Sequence, residues 1–270
     1  MSDKSHCSVC GKLKEKQFIN FANIEVYVEC ECEKKIRLKK EKADYEYALK
    51  TAVELRNKNS RLSLLGQKAS FEAAVVDKYN KVAVLGGKYL LERLLKDEDN
   101  EGKNGLVLQG NRGSGKTYIA CAVINEFNSR LPVSDLRLRQ IIKERNSAFR
   151  KEEFSAVKSP CKFITEMDLY ALYYENYNYC KTEGPLDEFK KADKLLVIDD
   201  VGSSSYDKKR VQAMYLNIID YRYSQGLPIV LTTNLTRIEL ADYLGDRSFD
   251  RLNACSYFVD LTSPESRRAV

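Results

Sequence analysis

Eight consecutive residues constrain this chain more than any others. Gly110-Asn111-Arg112-Gly113-Ser114-Gly115-Lys116-Thr117 fits the pattern G-x-x-x-x-G-K-S/T, behind the apolar run Leu106–Leu108 and ahead of the helical run Tyr118–Phe127. Glycines let the backbone curl so that successive N–H groups, and the helix N-terminus that follows, face the oxygens of a phosphate. In such a loop the lysine reaches the β- and γ-phosphates and the final hydroxyl ligates Mg²⁺, roles that fall here to Lys116 and Thr117. The strand-loop-helix setting separates this motif from an ordinary glycine-rich turn.

Four more runs share the character of Leu106–Leu108: Phe163–Thr165, Leu195–Ile198, Ile229–Thr232 and Tyr257–Leu261. Short, near-continuous apolar runs with helical crossovers between them are the pattern of a parallel sheet covered on both faces. Residues 71–270 are therefore expected to form one α/β domain, a doubly wound parallel sheet of five strands. The segment Pro132–Lys158 stands out within it as a basic, helical insertion. Residues 1–70 differ in kind. Phe18–Val28 suits a small hairpin, and from Glu33 to about Leu65 the chain is rich in Lys, Glu, Ala and Leu without an intervening Gly or Pro. One or two exposed helices are predicted there. Leu38, Tyr45, Leu49 and Ala52 recur at helical spacing and suit a partner-binding stripe. The boundary is placed at Gly66 to Glu72.

The remaining chemistry lies at strand ends. Leu195-Leu196-Val197-Ile198-Asp199-Asp200 is an apolar strand closing on two carboxylates, which a parallel sheet presents at its ligand-binding edge. Asp199 is expected to hold Mg²⁺ and Asp200 to polarise an attacking water. Thr232-Thr233-Asn234 ends the next strand, where the Asn234 amide can orient that water or simply cap a helix. Arg247 and Arg251 are four apart and share one face of any helix through them. Arginine set against developing phosphate charge accelerates phosphoryl transfer, although such pairs are also common on solvated surfaces.

Taken in order, G-N-R-G-S-G-K-T, L-L-V-I-D-D-V-G, L-T-T-N, L-G-D-R-S-F-D-R-L and a C-terminal S-R-R resemble the AAA+ core of the DnaC/DnaI helicase loaders and the related IstB transposition ATPases. The resemblance covers roughly residues 71–270. It implies an ATP hydrolase in which Asn234 is sensor 1, Arg251 acts as an arginine finger on a neighbouring subunit's ATP, and Arg268 is sensor 2. Arg247 and Arg267 remain alternatives for the two arginine roles. It also implies a homo-oligomeric spiral or ring whose isolated subunit hydrolyses ATP weakly unless it is assembled or stimulated by DNA. Its implied partners are a replicative DNA helicase and single-stranded DNA. Two departures are visible: Asp200 stands where many members have Glu, and the insertion at 132–158 has no assigned role. An IstB-like transposition helper, a small-molecule kinase and a non-catalytic nucleotide-gated adaptor are the competing functions.

Cys7-x-x-Cys10 and Cys30-x-Cys32 form a second motif. Two such pairs can surround Zn²⁺ with four thiolates, and in so small a module the metal supplies much of the folding energy. His6 is the alternative ligand. In DnaI-like loaders a module of this kind contacts the helicase, a role that resemblance extends to residues 1–70. Cys121, Cys161, Cys180 and Cys255 are expected to be small core residues. The run Tyr170–Tyr179 suits either stacking on single-stranded bases or packing against the sheet. The net charge of +6 is concentrated in residues 1–70, with 15 Lys/Arg against 10 Asp/Glu, and in residues 130–158, with 8 against 4. That distribution suits a polyanion footprint or solvated helices. No run approaches the roughly 18 apolar residues of a membrane helix, and the first residues lack the apolar segment of a secretory signal. A cytoplasmic protein with reduced or metal-bound cysteines is expected.

Overall fold

The computed structural model describes residues 5–19, 24–96, 102–145, 158–178, 184–203, 205–264 and 266–267. In chain order its elements are β1 (Lys16–Ile19), β2 (Ile24–Tyr27), α1 (Glu31–Asn59), α2 (Lys81–Lys96), β3 (Gly105–Gln109), α3 (Lys116–Arg130), α4 (Asp135–Arg145), β4 (Lys162–Thr165), α5 (Glu166–Asn178), α6 (Pro185–Lys190), β5 (Leu196–Val201), α7 (Lys208–Ser224), β6 (Ile229–Thr233), α8 (Arg237–Leu244), α9 (Asp246–Cys255) and β7 (Ser256–Asp260). They fall into two compact units, residues 1–52 with 133–152 and residues 53–132 with 153–270.

The larger unit is built on a five-stranded parallel sheet in the order β4-β5-β6-β3-β7. Successive side chains of a strand point to opposite faces, and here both faces are covered. Leu106, Leu108, Val197 and Val230 face a layer made by α2 and α3, where they meet Val84, Leu91, Ile119 and Phe127. Val107, Leu196, Ile198, Ile229 and Leu231 face the other way, onto Leu169, Phe189, Met214, Ile218 and Leu252 from α5, α6, α7 and α9. All five expected strands are present, and the doubly wound arrangement buries the apolar positions of the inner strands on both faces. Buried polar groups pin the periphery. Arg222 on α7 donates to the carbonyls of Lys190, Ala192, Lys194 and Pro228 at 3.0, 3.1, 3.0 and 2.6 Å. Burial pushes its pKa down to about 10.

The compositional boundary at residue 70 is not where the chain divides. The last turns of α1 belong to the larger unit, because Arg56 donates to the carbonyls of Asn128, Leu131 and Pro132, while Leu62 and Ala69 join the α2–α3 core. Conversely the insertion, expected within residues 71–270, supplies α4 to the smaller unit. Leu138 and Ile141 of α4 bury Ala48 and Ala52 of α1, with Leu49, Val133 and Ile142 alongside. The Arg145 guanidinium pairs with Asp44 at 3.1 Å and lies over the Tyr47 ring. Half of the predicted stripe is thus covered from within the chain, while Leu38 and Tyr45 stay exposed. The predicted hairpin forms as β1 paired antiparallel with β2.

The tyrosine run lies largely on α5, where Tyr170 and Tyr173 pack while Tyr174 stays exposed beneath the Arg210 guanidinium. Tyr170 stacks on Tyr206 with ring centroids 3.9 Å apart, and Leu172 and Tyr173 lean on the core. Tyr179 lies outside the described residues. Cys121 and Cys161 are buried and Cys255 half-buried, as expected for core residues; Cys180 is outside the described residues. Among the described residues no helix is long and apolar enough to cross a membrane.

Candidate nucleotide site and cysteine cluster

Strand β3 runs into the phosphate loop, and α3 begins at Lys116 within it. The loop is possible only with glycine at two points. Gly110 has φ +144°, and an added Cβ would sit 2.6 Å from the Leu261 carbonyl oxygen. Gly113 has φ +78°, and its Cβ would meet the Ser266 hydroxyl at 2.3 Å. The segment after β7 is therefore laid directly on the loop. Asn111 clasps it from the loop side, donating through Nδ2 to the Ser263 carbonyl and accepting the Ser263 N–H.

Lys116 crosses the loop, its Nζ donating to the carbonyls of Gly110 and Asn111 at 2.9 and 2.8 Å and to Asn234 Oδ1 at 3.0 Å. Asp199 is buried at the end of the sheet, where its Oδ1 accepts from the hydroxyls of Thr117 at 2.9 Å and Thr232 at 2.6 Å. Burial pushes its pKa up, against the pull of those two hydroxyls. Asp200 is differently placed. The β5–β6 register shifts between Ile198 and Val201, and Asp200 takes a left-handed φ of +62° that turns it toward solvent. Its N–H donates to Thr232 Oγ1 at 2.9 Å, and its carboxylate faces the Asn234 amide at 3.4 Å. Lys116, Thr117, Asp199, Asp200 and Asn234, spread over more than a hundred residues of sequence, thus meet at one sheet edge.

All of these but Asp199, which lies buried behind Thr117 and Thr232, line a cavity of about 670 Å³. Arg112, Gly113, Gly115, Lys116, Thr117, Asp200, Thr232 and Asn234 line its polar end, and Ala73, Ala74, Val75, Val84 and Ile119 line the apolar one. The wall at 73–75 has no counterpart among the sequence expectations. Asn80 holds it, donating through Nδ2 to the Val75 carbonyl at 2.8 Å and accepting the Asp77 N–H at 2.9 Å. Nothing in the Ala-Ala-Val run itself marks it as a cavity wall.

The arginines separate. Arg267 lines the cavity, where it pairs with Asp77 at 2.5 Å. Arg268, the expected sensor 2, lies outside the described residues. Arg247 and Arg251 of α9 are not among the cavity's lining residues; both reach Asp220 on α7, Arg247 at 3.8 Å and Arg251 in close contact.

The site suits a nucleotide phosphate and Mg²⁺. The α3 N-terminus and its preceding N–H groups are an anion cradle. Adjoining hydroxyl and carboxylate oxygens from Thr117 and Asp199 are the hard donors that Mg²⁺ prefers, and a cation there would favour the charged form that burial disfavours.

In the smaller unit, ligand atoms of Cys7, Cys10, Cys30 and Cys32 all lie within 4.8 Å of one another, with Cys10 Sγ and Cys30 Sγ 3.7 Å apart. Zn–S bonds of about 2.3 Å at tetrahedral angles put the sulfurs about 3.8 Å apart, so the four thiols fit zinc. The N–H groups of Cys10 and Val9 point at Cys7 Sγ at 3.4 Å and hold that thiol below its ordinary pKa. His6 is not one of the four. Glu33, unremarked in the sequence, ties the two turns together. It pairs with Lys14 at 2.8 Å and accepts the N–H groups of Ser8 and Cys30, which hold its pKa at about 2.

Several solved structures share this fold. The DnaC helicase loader is similar over 73% of this chain and 99% of its own, at 19% identity and a TM-score of 0.52. DnaI is similar over 74% and 94%, at 20% identity and 0.53. The replication initiator DnaA bound to AMPPCP and single-stranded DNA is similar over 76% of this chain but only 53% of that one, at 21% identity and 0.50. Comparison with curated proteins gives no match. The family model named AAA, for the ATPase family associated with various cellular activities, matches residues 106–254, from β3 through α9. With that match spanning more than half of the 270 residues and enclosing the phosphate loop, both carboxylates and Asn234, this chain belongs to the AAA ATPase family.

Proposed function

We propose that the chain is an ATP-controlled loader that places a replicative DNA helicase on single-stranded DNA. The observation that carries this reading is the length-matched likeness to a helicase loader, 99% of whose chain is covered, joined here to a separate four-cysteine unit. In this reading the backbone of residues 110–115 and Lys116 bind the ATP phosphates, and Thr117 and Asp199 hold Mg²⁺, which supplies charge to the β- and γ-phosphate oxygens. Asp200 polarises the attacking water and Asn234 orients it. Arg251, with Arg247 beside it, acts on the nucleotide of an adjoining copy, a role supported by the absence of both from the lining of the chain's own cavity. Arg267 takes the sensing role within the chain, since it already lies at the cavity. The cysteine unit holds zinc and, with the exposed part of α1, grips the helicase.

Capture tests this directly. The full chain, incubated with ATP, should retain a hexameric replicative helicase, and single-stranded DNA should stimulate its ATPase. Retention of a transposase instead, with stimulation by duplex DNA, would transfer the protein to the IstB-like reading. Lys116→Ala should abolish ATP turnover; a variant that still turned over ATP would overturn the site itself.

A further inference from the structure

Glu166 is the first residue of α5, directly after Thr165, whose register partner on β5 is Asp199. It is completely buried, and its hydrogen-bond partners among the described residues include no cationic side chain. Instead three donors converge on it from three places. Oε2 accepts the Gly202 N–H at 2.9 Å and the Tyr243 hydroxyl of α8 at 3.0 Å, while Oε1 accepts the Tyr215 hydroxyl of α7 at 2.7 Å. A buried carboxylate is a costly way to fill space, and packed apolar groups of the same volume usually serve stability as well or better. Such a group is better explained by what it holds.

What it holds is the turn that carries Asp200. With φ at +62°, Asp200 occupies a conformation disfavoured for any residue with a Cβ, and such a turn persists only where its surroundings over-determine it. Gly202, two residues on, is itself at φ +80°, and a Cβ there would lie 2.4 Å from the Leu235 side chain. The turn is gripped on one side by Thr232, through the Asp200 N–H, and on the other by Glu166, through the Gly202 N–H. Glu166 is also the point at which this turn meets α8, and Gly245 alone separates the end of α8 from the start of α9, which bears Arg247 and Arg251.

We propose that Glu166 is a positioning residue for ATP hydrolysis: its carboxylate holds the Gly202 N–H and so keeps the Asp200 side chain aimed into the nucleotide cavity. The inference rests on the role given to Asp200 above. Glu166→Gln can keep the essential bond, because the amide oxygen can still accept from Gly202 while the amide nitrogen turns to the Tyr215 oxygen. Glu166→Ala cannot. Tyr215→Phe removes a bond to the other carboxylate oxygen only and serves as the stability control.

The measurement is steady-state ATP turnover of the full chain, per mole of folded protein, beside the affinity for a fluorescent ATP analogue. Glu166→Ala should lower kcat by about 10- to 100-fold with affinity changed by no more than about twofold. Glu166→Gln should restore most of the rate, and Tyr215→Phe should turn over normally despite a lower melting temperature. Should the alanine variant not fold, Glu166→Asp, which draws the carboxylate back by one methylene, should show the same split between rate and affinity. Rates that follow melting temperature across all variants, or an alanine or aspartate variant as fast as the parent, would overturn the proposal. Asp200→Asn keeps the two readings apart. If it is inactive while Glu166→Ala is fully active, only the Glu166 role falls; if it is itself fully active, the Asp200 role falls first.

Discussion

The two units keep their folds by different means. In the larger one, both faces of the sheet are sealed by helices, and the strand residues from Leu106 to Leu108 and from Leu196 to Ile198 are all but inaccessible to solvent. In the smaller one, the buried apolar group is Ala48, Ala52, Leu138 and Ile141, and the hairpin region leaves Val9, Leu13, Phe18 and Tyr27 exposed. Burial of apolar surface is the main stabilising force in folding, and a module with so little of it needs a cross-link of another kind. Under the function proposed above, zinc held by the four thiols would be that cross-link. The larger unit thus rests on an extensive apolar core, and the smaller one on a few apolar contacts beside a cysteine cluster suited to zinc.

The comparison breaks most visibly if metal is withdrawn. Structural zinc contributes roughly 10–16 kcal/mol in small cysteine modules, so a chelator should expose the amides of β1 and β2 to rapid hydrogen exchange while those of β3 and β6 stay protected. A hairpin that kept its protection without metal would place the smaller unit's stability in its packing instead. The next largest effect belongs to the larger unit. Arg222→Met leaves four carbonyls, two of them buried, without their donor and should cost about 3 kcal/mol, read as a lower denaturant midpoint for the sheet with no change at the cysteine cluster. Leu138→Ala probes the small α1–α4 contact, which can close over the gap more easily than a sheet core can. It should cost about 2 kcal/mol, confined to the exchange of α4 and the middle of α1. The smallest effect is a local one. Thr236 caps α8, accepting the Glu239 N–H while the Glu239 carboxylate accepts the Thr236 N–H in return. Thr236→Ala should cost about 1 kcal/mol and shift the melting temperature by a few degrees. A larger loss would mean that the cap also supports Asn234 two residues away.

Legibility in the sequence followed the range of the interaction concerned. The phosphate loop, the Asp199–Asp200 pair and the cysteine pairs are local patterns whose chemistry dictates residue type at fixed spacing, so they could be read as candidates from the sequence alone. The inner strands were legible because a strand buried on both faces is apolar along nearly its whole length, and the edge strand β7 through its aromatic and β-branched residues. The cavity wall at 73–75 was not, since alanine and valine lining a ligand pocket look like alanine and valine anywhere. Glu166 was invisible for a related reason. A glutamate opening a helix is ordinary, and only the fold brings Gly202, Tyr215 and Tyr243 onto it. The assignment of Arg268 over Arg267 turned on one residue of register in an irregular segment, which periodicity does not resolve; the described structure brings Arg267 to the cavity.

By itself, then, the order of residues determined the AAA fold, the phosphate cradle and the cysteine set, because those depend on short-range geometry and on which side chains can be buried. Tertiary structure decided the rest. It determined that α4 belongs with α1 and that the end of α1 belongs with the sheet, that Asp200 sits on a left-handed turn, and that a buried glutamate holds that turn from behind. Each of those outcomes depends on which distant surfaces can cover an apolar face or satisfy a buried donor, and that is settled only when the whole chain has packed.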